Sequence, residues 1–306
     1  MFEELKNCTL CPRECGIDRT KHKGYCGCDD NVMIARAALH YWEEPCISGE
    51  NGSGAIFFCG CTLKCCYCQN YLISHQNFGK IISVHRLSEI FLELQDKGAH
   101  NINLVTPTQY VPMILKALDL VKHRLLIPVV YNCGGYEKID TIKRLNGYVD
   151  IFLPDIKYYN EETAIKYSSA KGYFNRVSEA VSEMIRQTGT PELDCNGIIK
   201  KGVIIRHLVL PGYRKESMDI LRWMKECLTD NSYMLSLMSQ YTPSYKSNAY
   251  SEINRRVTTF EYDSVLDFAI SLGITNGYMQ DRKSAVKEYT PPFDLEGIER
   301  KESNGD

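Results

Sequence analysis

No stretch of this chain approaches the roughly twenty consecutive apolar residues that a helix needs to cross a bilayer. Its first residues, Met1-Phe-Glu-Glu-Leu-Lys, lack the basic and apolar regions of a secretory leader. We therefore expect a cytoplasmic protein with no membrane partner. Neither sign of charge is in excess, since 36 Lys and Arg face 38 Asp and Glu for a net charge of −2. Such a balance lacks the broad basic surface on which nucleic-acid binding rests, so nucleic acid is not an expected partner. Cysteine, by contrast, is abundant. Fourteen occur in 306 residues, most of them before residue 70, and in a reducing compartment that many thiols point to metal rather than to disulfides.

The most informative cysteines are Cys61, Cys65 and Cys68, in a loop that follows the apolar run Ala55-Ile56-Phe57-Phe58. The run reads as a β-strand. Gaps of three and two residues between the cysteines let one loop wrap three thiolates around an iron–sulfur cube. Such clusters normally take four Cys ligands, so the fourth iron is either completed from elsewhere or left open to a ligand such as S-adenosylmethionine (SAM). The alternative is a structural zinc knuckle, because zinc takes thiolates at similar spacings. Cys59 and Cys66 do not fit the spacing, and we read them as packing thiols or as groups that support the ligands.

A second group, Cys8, Cys11, Cys15, Cys26 and Cys28, falls within the first 30 residues, where there is little apolar content. A bound metal would supply the stability such a segment lacks. We expect Cys8, Cys11, Cys15 and Cys26 to hold it, with Cys28 as a possible fifth ligand. Zinc and an auxiliary Fe–S cluster both accept four thiolates, so the spacing leaves that choice open. The expected organisation is a Cys-rich knuckle over 1–30, a connector over 31–54, a main domain over 55–285, and a strap with a solvated tail over 286–306. In the connector the run 39–49 shows neither helical nor strand period and reads as a loop, with Tyr41 and Trp42 packing the knuckle onto the main domain.

From residue 55 onward, short apolar runs alternate with amphipathic stretches, the pattern of βα units and a parallel sheet. Strands are expected at 55–58, 102–105, 128–131, 149–153, 203–210 and 233–237. Between them, helical spacing places Leu87, Ile90, Phe91 and Leu94 on one stripe and Val177, Val181, Met184 and Ile185 on another. In parallel barrels the chemistry gathers where strands end. Those ends carry Thr106, Asn132 and the pair Asp155 and Lys157, a carboxylate and an ammonium that project to the same side of an extended chain. Such a pair suits the charged ends of an amino acid.

The three-cysteine loop, with the aromatic Tyr67 before its last cysteine, resembles the defining motif of the radical SAM superfamily. The resemblance covers nearly the whole chain. It implies a partial (β/α)6 barrel, a 4Fe-4S cluster on Cys61, Cys65 and Cys68, and SAM bound at the open iron with Tyr67 beside it. Asp155-Ile-Lys157 and Arg206-His207 with Pro211-Gly212 resemble motifs of pyruvate formate-lyase activating enzymes, which implies that Asp155, Lys157 and His207 lie near SAM. The Gly-Gly-Glu with which many relatives hold the SAM amino group has no counterpart after the second strand, and Thr106 or Thr108 stands in its place. Cys8-Thr-Leu-Cys11-Pro-Arg-Glu-Cys15-Gly16, Trp42-Glu-Glu-Pro-Cys-Ile-Ser-Gly49, Cys68-Gln-Asn70, Leu237-Met-Ser-Gln-Tyr241 and Tyr289-Thr-Pro-Pro-Phe293 look like the PflX-like branch of those activating enzymes. The implied activity is reductive cleavage of SAM, with an electron from a flavodoxin- or ferredoxin-like donor, followed by hydrogen abstraction. The implied substrate is a backbone glycine of a partner enzyme. Another peptide, a small metabolite and RNA are the competing substrates, and a zinc-binding interaction module is the non-enzymatic alternative.

Overall fold

The computed structural model describes residues 2–279 and 290–300. The tail expected at 301–306 and the strap residues 286–289 lie outside the described residues. After a short 3-10 turn at Glu3–Asn7, ten strands follow. They are β1 Val32–His40, β2 Ser53–Phe58, β3 Lys80–Ile82, β4 Ile102–Val105, β5 Val129–Cys133, β6 Ile151–Pro154, β7 Glu192–Leu193, β8 Ile199–Leu208, β9 Met234–Met238 and β10 Gly277–Met279. The helices are α1 Pro45–Ser48, α2 Tyr71–Ser74, α3 Val84–Asp96, α4 Val111–Val121, α5 Ile139–Lys143, α6 Glu161–Ser168, α7 Tyr173–Thr188, α8 Arg214–Cys227 and α9 Thr259–Ser271.

The six expected strands form the centre of the sheet in the order β2, β4, β5, β6, β8, β9, each parallel to the next. Their runs are largely apolar because helices cover the sheet and bury both faces. Every residue of β2, β4, β5 and β6 is buried. The sheet does not close: it ends at β10 on one side and at the antiparallel pair β1 and β3 on the other. The architecture is thus a partial α/β barrel. The helical stripes fall where their spacing placed them, with Leu87, Ile90, Phe91 and Leu94 of α3 and Val177, Val181 and Met184 of α7 all packed inward. Local signals set the helix starts. The Ser83 side chain accepts from the Arg86 amide ahead of α3, and Thr258 with Glu261 makes a reciprocal capping box ahead of α9.

Two differences from the sequence reading bear on the site. The stretch 31–54 is not merely a connector, because it contributes β1, which pairs antiparallel with β2, and the short helix α1 within the run taken as a loop. A short seventh parallel strand, β10, extends the sheet beyond β9. No helix among the described residues is long and apolar enough to cross a membrane.

Residues 290–300 do form a packed strap. Leu295 N–H donates to Ala35 O at 3.1 Å and Ala37 N–H to Glu296 O at 2.8 Å, while the Arg86 guanidinium holds the carbonyls of Gly297, Ile298 and Glu299. Gly297 has φ +75°, and a Cβ there would stand 1.9 Å from Ala37 O. Gly297→Ala is therefore expected to lift the strap from β1 at a cost of about 1–3 kcal/mol, seen as a lower Tm and faster proteolysis near residue 295. An unchanged Tm would show that the strap adds nothing to stability.

Candidate active site at the C-terminal edge of the sheet

The loop after β2 is fixed before its cysteines begin. Gly60 turns the chain at φ +76°, with a Cys28 sulfur 2.2 Å from where its Cβ would stand, so only glycine fits. Cys61 N–H then donates to Cys26 O at 3.2 Å, Lys64 N–H to Ser168 O and Cys66 N–H to Tyr167 O. The loop is thus held on one side by the N-terminal segment and on the other by the end of α6. Ser168 Oγ donates to Cys65 Sγ at 2.9 Å and shares a 2.6 Å hydrogen bond with Tyr158 OH, which meets Tyr67 OH at 2.6 Å. Cys68 Sγ lies 3.2 Å from Ser74 Oγ. Cys59 donates to Phe78 O away from this group, in keeping with a packing role.

Cys65, Tyr67 and Cys68 line a cavity of about 240 Å³ at the strand ends, together with Trp42, Glu43, Asn132, Asp155, Lys157, Arg206 and Tyr241. Cys61 stands beside them: burial pushes its thiol up to about 12, and Cys65 and Cys68 add to the shift. A larger groove of about 1170 Å³ runs beneath the strap along α3, but none of these cysteines or charged pairs lines it, so we place the site in the smaller cavity. No group of three or more His, Cys, Asp or Glu side chains among the described residues is arranged around a single ion. A cube is a different demand, because its thiolates grip separate corners and stand further apart. Three thiols on one fixed loop, two of them facing a cavity, fit such a group.

Opposite the cysteines lies a buried ionic network. Arg206 Nε donates to Asp155 Oδ1 at 2.8 Å, Nη1 to Glu43 Oε2 at 3.1 Å and Nη2 to Asn132 Oδ1 at 2.7 Å. Lys157 Nζ reaches the other Asp155 oxygen at 2.5 Å. Burial alone would raise the Asp155 pKa, but the Arg206 guanidinium and the Lys157 ammonium outweigh it and hold the carboxyl below its ordinary range. For Glu43 the balance tips the other way: burial raises its pKa despite Arg206 and the amides of Asn103 and Asn132.

The structure brings Tyr67, Asn132, Asp155 and Lys157 together in one cavity and leaves the two other predicted cofactor residues outside its lining. His207 sits beneath Lys157, facing a narrow crevice with Glu216 and Tyr213. Burial lowers its pKa to about 4, so the ring is neutral, with Nδ1–H donating to Ile156 O at 2.6 Å and a buried, unpartnered Nε2. Thr106 ends β4 in the left-handed region at φ +60°, a strained conformation for a β-branched residue. Its N–H donates to Asn132 O and its carbonyl accepts from Gln109 Nε2. Thr108 is turned away, donating to Glu137. Trp42 lines the cavity, as does Glu43 beside it, which the sequence did not single out. The paired acids next to a tryptophan, in a run without period, were the available signal.

A parallel, unclosed α/β barrel with a thiol loop and an ionic cavity at its carboxyl edge defines a cofactor-dependent enzyme class. The sequence profile of the Radical SAM superfamily matches residues 55–224, and the chain belongs to that superfamily, whose members use a 4Fe-4S cluster and SAM. An uncharacterized protein of Methanocaldococcus jannaschii is 32% identical over 277 residues, spanning 87% of this chain and 75% of that protein. Among solved structures, Streptococcus suis SuiB bound to the precursor peptide SuiA is similar at 13% identity and TM-score 0.48, covering 74% of this chain and 48% of that one. The FeFe-hydrogenase maturase HydG of Carboxydothermus hydrogenoformans is similar at 12% identity and TM-score 0.45, covering 69% and 49%. The chain thus spans about half the length of these solved structures.

Proposed function

We propose that this protein cleaves SAM reductively at a 4Fe-4S cluster held by Cys61, Cys65 and Cys68 and abstracts hydrogen from a glycyl-radical enzyme, as the PflX-like motifs suggest. The observation that carries the reading is the meeting of the cysteine loop with Asn132, Asp155 and Lys157 in one cavity. When bound, the cluster and SAM would supply the redox and radical chemistry of the reaction. The chain's own residues position and shield. Lys157 and Asp155 offer a cation and an anion to the carboxylate and ammonium of the methionine moiety, and Arg206 fixes the direction of Asp155. Asn132 adds a polar amide beside them. Ser168 donates to the Cys65 sulfur, which favours its thiolate form. Trp42 and Tyr241 wall the cavity with aromatic surface that limits water around a reactive species. A flavodoxin- or ferredoxin-like protein is the proposed electron donor.

The test is SAM turnover by protein purified without oxygen, with iron and sulfide counted on the same sample. Reductant-dependent 5′-deoxyadenosine is expected from the native chain and only background from Cys65→Ala. Zinc in place of iron with no turnover would overturn the radical chemistry. Turnover that leaves no glycyl radical signal on a pyruvate formate-lyase-type partner would overturn the substrate while sparing the chemistry.

A further inference from the structure

The first thirty residues take no part in that cavity, yet they carry a buried feature that needs a counter-charge. Arg19 is 0% exposed. Its guanidinium donates to the backbone carbonyls of Asp29 and Gln109, the latter at 2.7 Å, and approaches Cys8 Sγ at 3.9 Å. None of these partners is a carboxylate. A buried cation without a counter-charge costs several kcal/mol, and the ionisable groups that face Arg19 are the thiols of Cys26, Cys8 and Cys28. Thiolates supply that charge, and a bound metal holds thiols in that form.

The thiols converge on the same place. A Cβ on Gly24 would stand 3.5 Å from Cys26 Sγ, 3.6 Å from Cys15 Sγ and 3.8 Å from the Arg19 side chain. The backbone closes around them: Cys8 N–H donates to Ile17 O, Gly16 N–H to Cys8 O and Glu14 N–H to Cys11 O. Cys28 stands in the same group, its thiol 3.8 Å from the Cys26 carbonyl, but it also donates at 3.4 Å to the Cys59 carbonyl, against the start of the loop after β2. Apart from the single turn at Glu3–Asn7, the segment has no helix or strand before Val32, so its fold rests on side chains that metal would gather.

We propose that Cys8, Cys11, Cys15 and Cys26, without Cys28, form a second, tetrathiolate metal centre whose negative charge is offset by Arg19. The Cys61 N–H···O=C Cys26 hydrogen bond ties it to the cysteine loop. Zinc and an Fe–S cluster share the thiolate chemistry this site offers; the thiols are not arranged around a single ion in the structure, so a mononuclear zinc would require them to close on loading.

The experiment uses the full chain with Cys61, Cys65 and Cys68 all replaced by alanine, purified without oxygen and then offered zinc, or ferrous iron with sulfide, in separate reconstitutions. About one zinc, or about four irons with matching sulfide, is expected per chain. Zinc retention identifies a mononuclear centre and iron with sulfide identifies a cluster; either supports the proposal. On that background Cys8→Ser is expected to lose the metal and Cys28→Ser to keep it. Arg19→Gln is expected to weaken metal affinity about tenfold or more, with circular dichroism confirming that the fold persists. Failure of the triple variant to hold either metal would overturn the centre. Retention by Cys8→Ser with loss by Cys28→Ser would overturn the ligand set.

Discussion

Replacing Arg206 with leucine is expected to destabilise the fold by about 3–5 kcal/mol, the usual cost of removing one partner from a buried ion pair. Its side chain is 15% exposed, and those of Glu43 and Asp155 are 11% and 17% exposed. Each carboxylate takes a separate edge of the one guanidinium. Leucine would leave Lys157 to answer Asp155 alone and Glu43 with only amide donors. Arg206→Lys is expected to recover part of the loss, because an ammonium supplies the charge but not the planar fork that meets both acids at once. Urea denaturation of the two variants at neutral pH reads this directly. A leucine variant within about 1 kcal/mol of the native chain would show that the two acids take up protons at little cost, and the network would then add nothing to stability.

The other large effect is a pH dependence centred on Glu137. It is 1% exposed and accepts from Thr108 Oγ1 at 2.7 Å and Tyr131 OH at 3.2 Å. Burial raises its pKa from 4.5 to about 7, against the lowering effect of those hydrogen bonds. The folded state therefore holds the proton more tightly than the unfolded one. Stability from this group is fully present below about 4.5 and is lost as pH rises through about 7, a loss on the order of 3 kcal/mol by pH 8. Glu137→Gln keeps an acceptor for one hydroxyl and cannot ionise. It is expected to flatten the stability profile between pH 5 and pH 8 and to exceed the native chain above pH 7. A native chain whose denaturation midpoint does not fall over that range, or a variant that shares its slope, would contradict this assignment.

The central sheet was legible because six strands are written as short, mostly apolar runs, and the helices because their stripes keep one period. β1 was not, and its register explains why: the pairing with β2 shifts between Ile34 and Arg36. A bulge of that kind breaks the alternation by which a half-buried strand is recognised. The cysteine loop announced itself through spacing, and Asp155 and Lys157 through their adjacency on a strand end. Glu43 gave no comparable signal, since a glutamate in an aperiodic stretch is normally solvated. Its burial depends on Arg206, 163 residues further along, and on amides from two other strands. His207 shows the converse. Its place in a motif implied a cofactor contact, while the direction of its ring is set by the Ile156 carbonyl just beyond the end of β6.

The cysteine loop is gripped from both ends of the chain's history. Arg13 donates to the carbonyls of Thr62, Ser168 and Ser169, and Leu10 O receives Thr141 Oγ1. The Cys-rich segment therefore finds its seat only after residues 141 to 169 have been made. Contacts so distant in sequence form late and slowly, and until they form, the thiols of both groups are exposed to oxygen and stray metal. The shape of the loop is thus set by residues about a hundred positions further along, and not by the loop's own sequence alone.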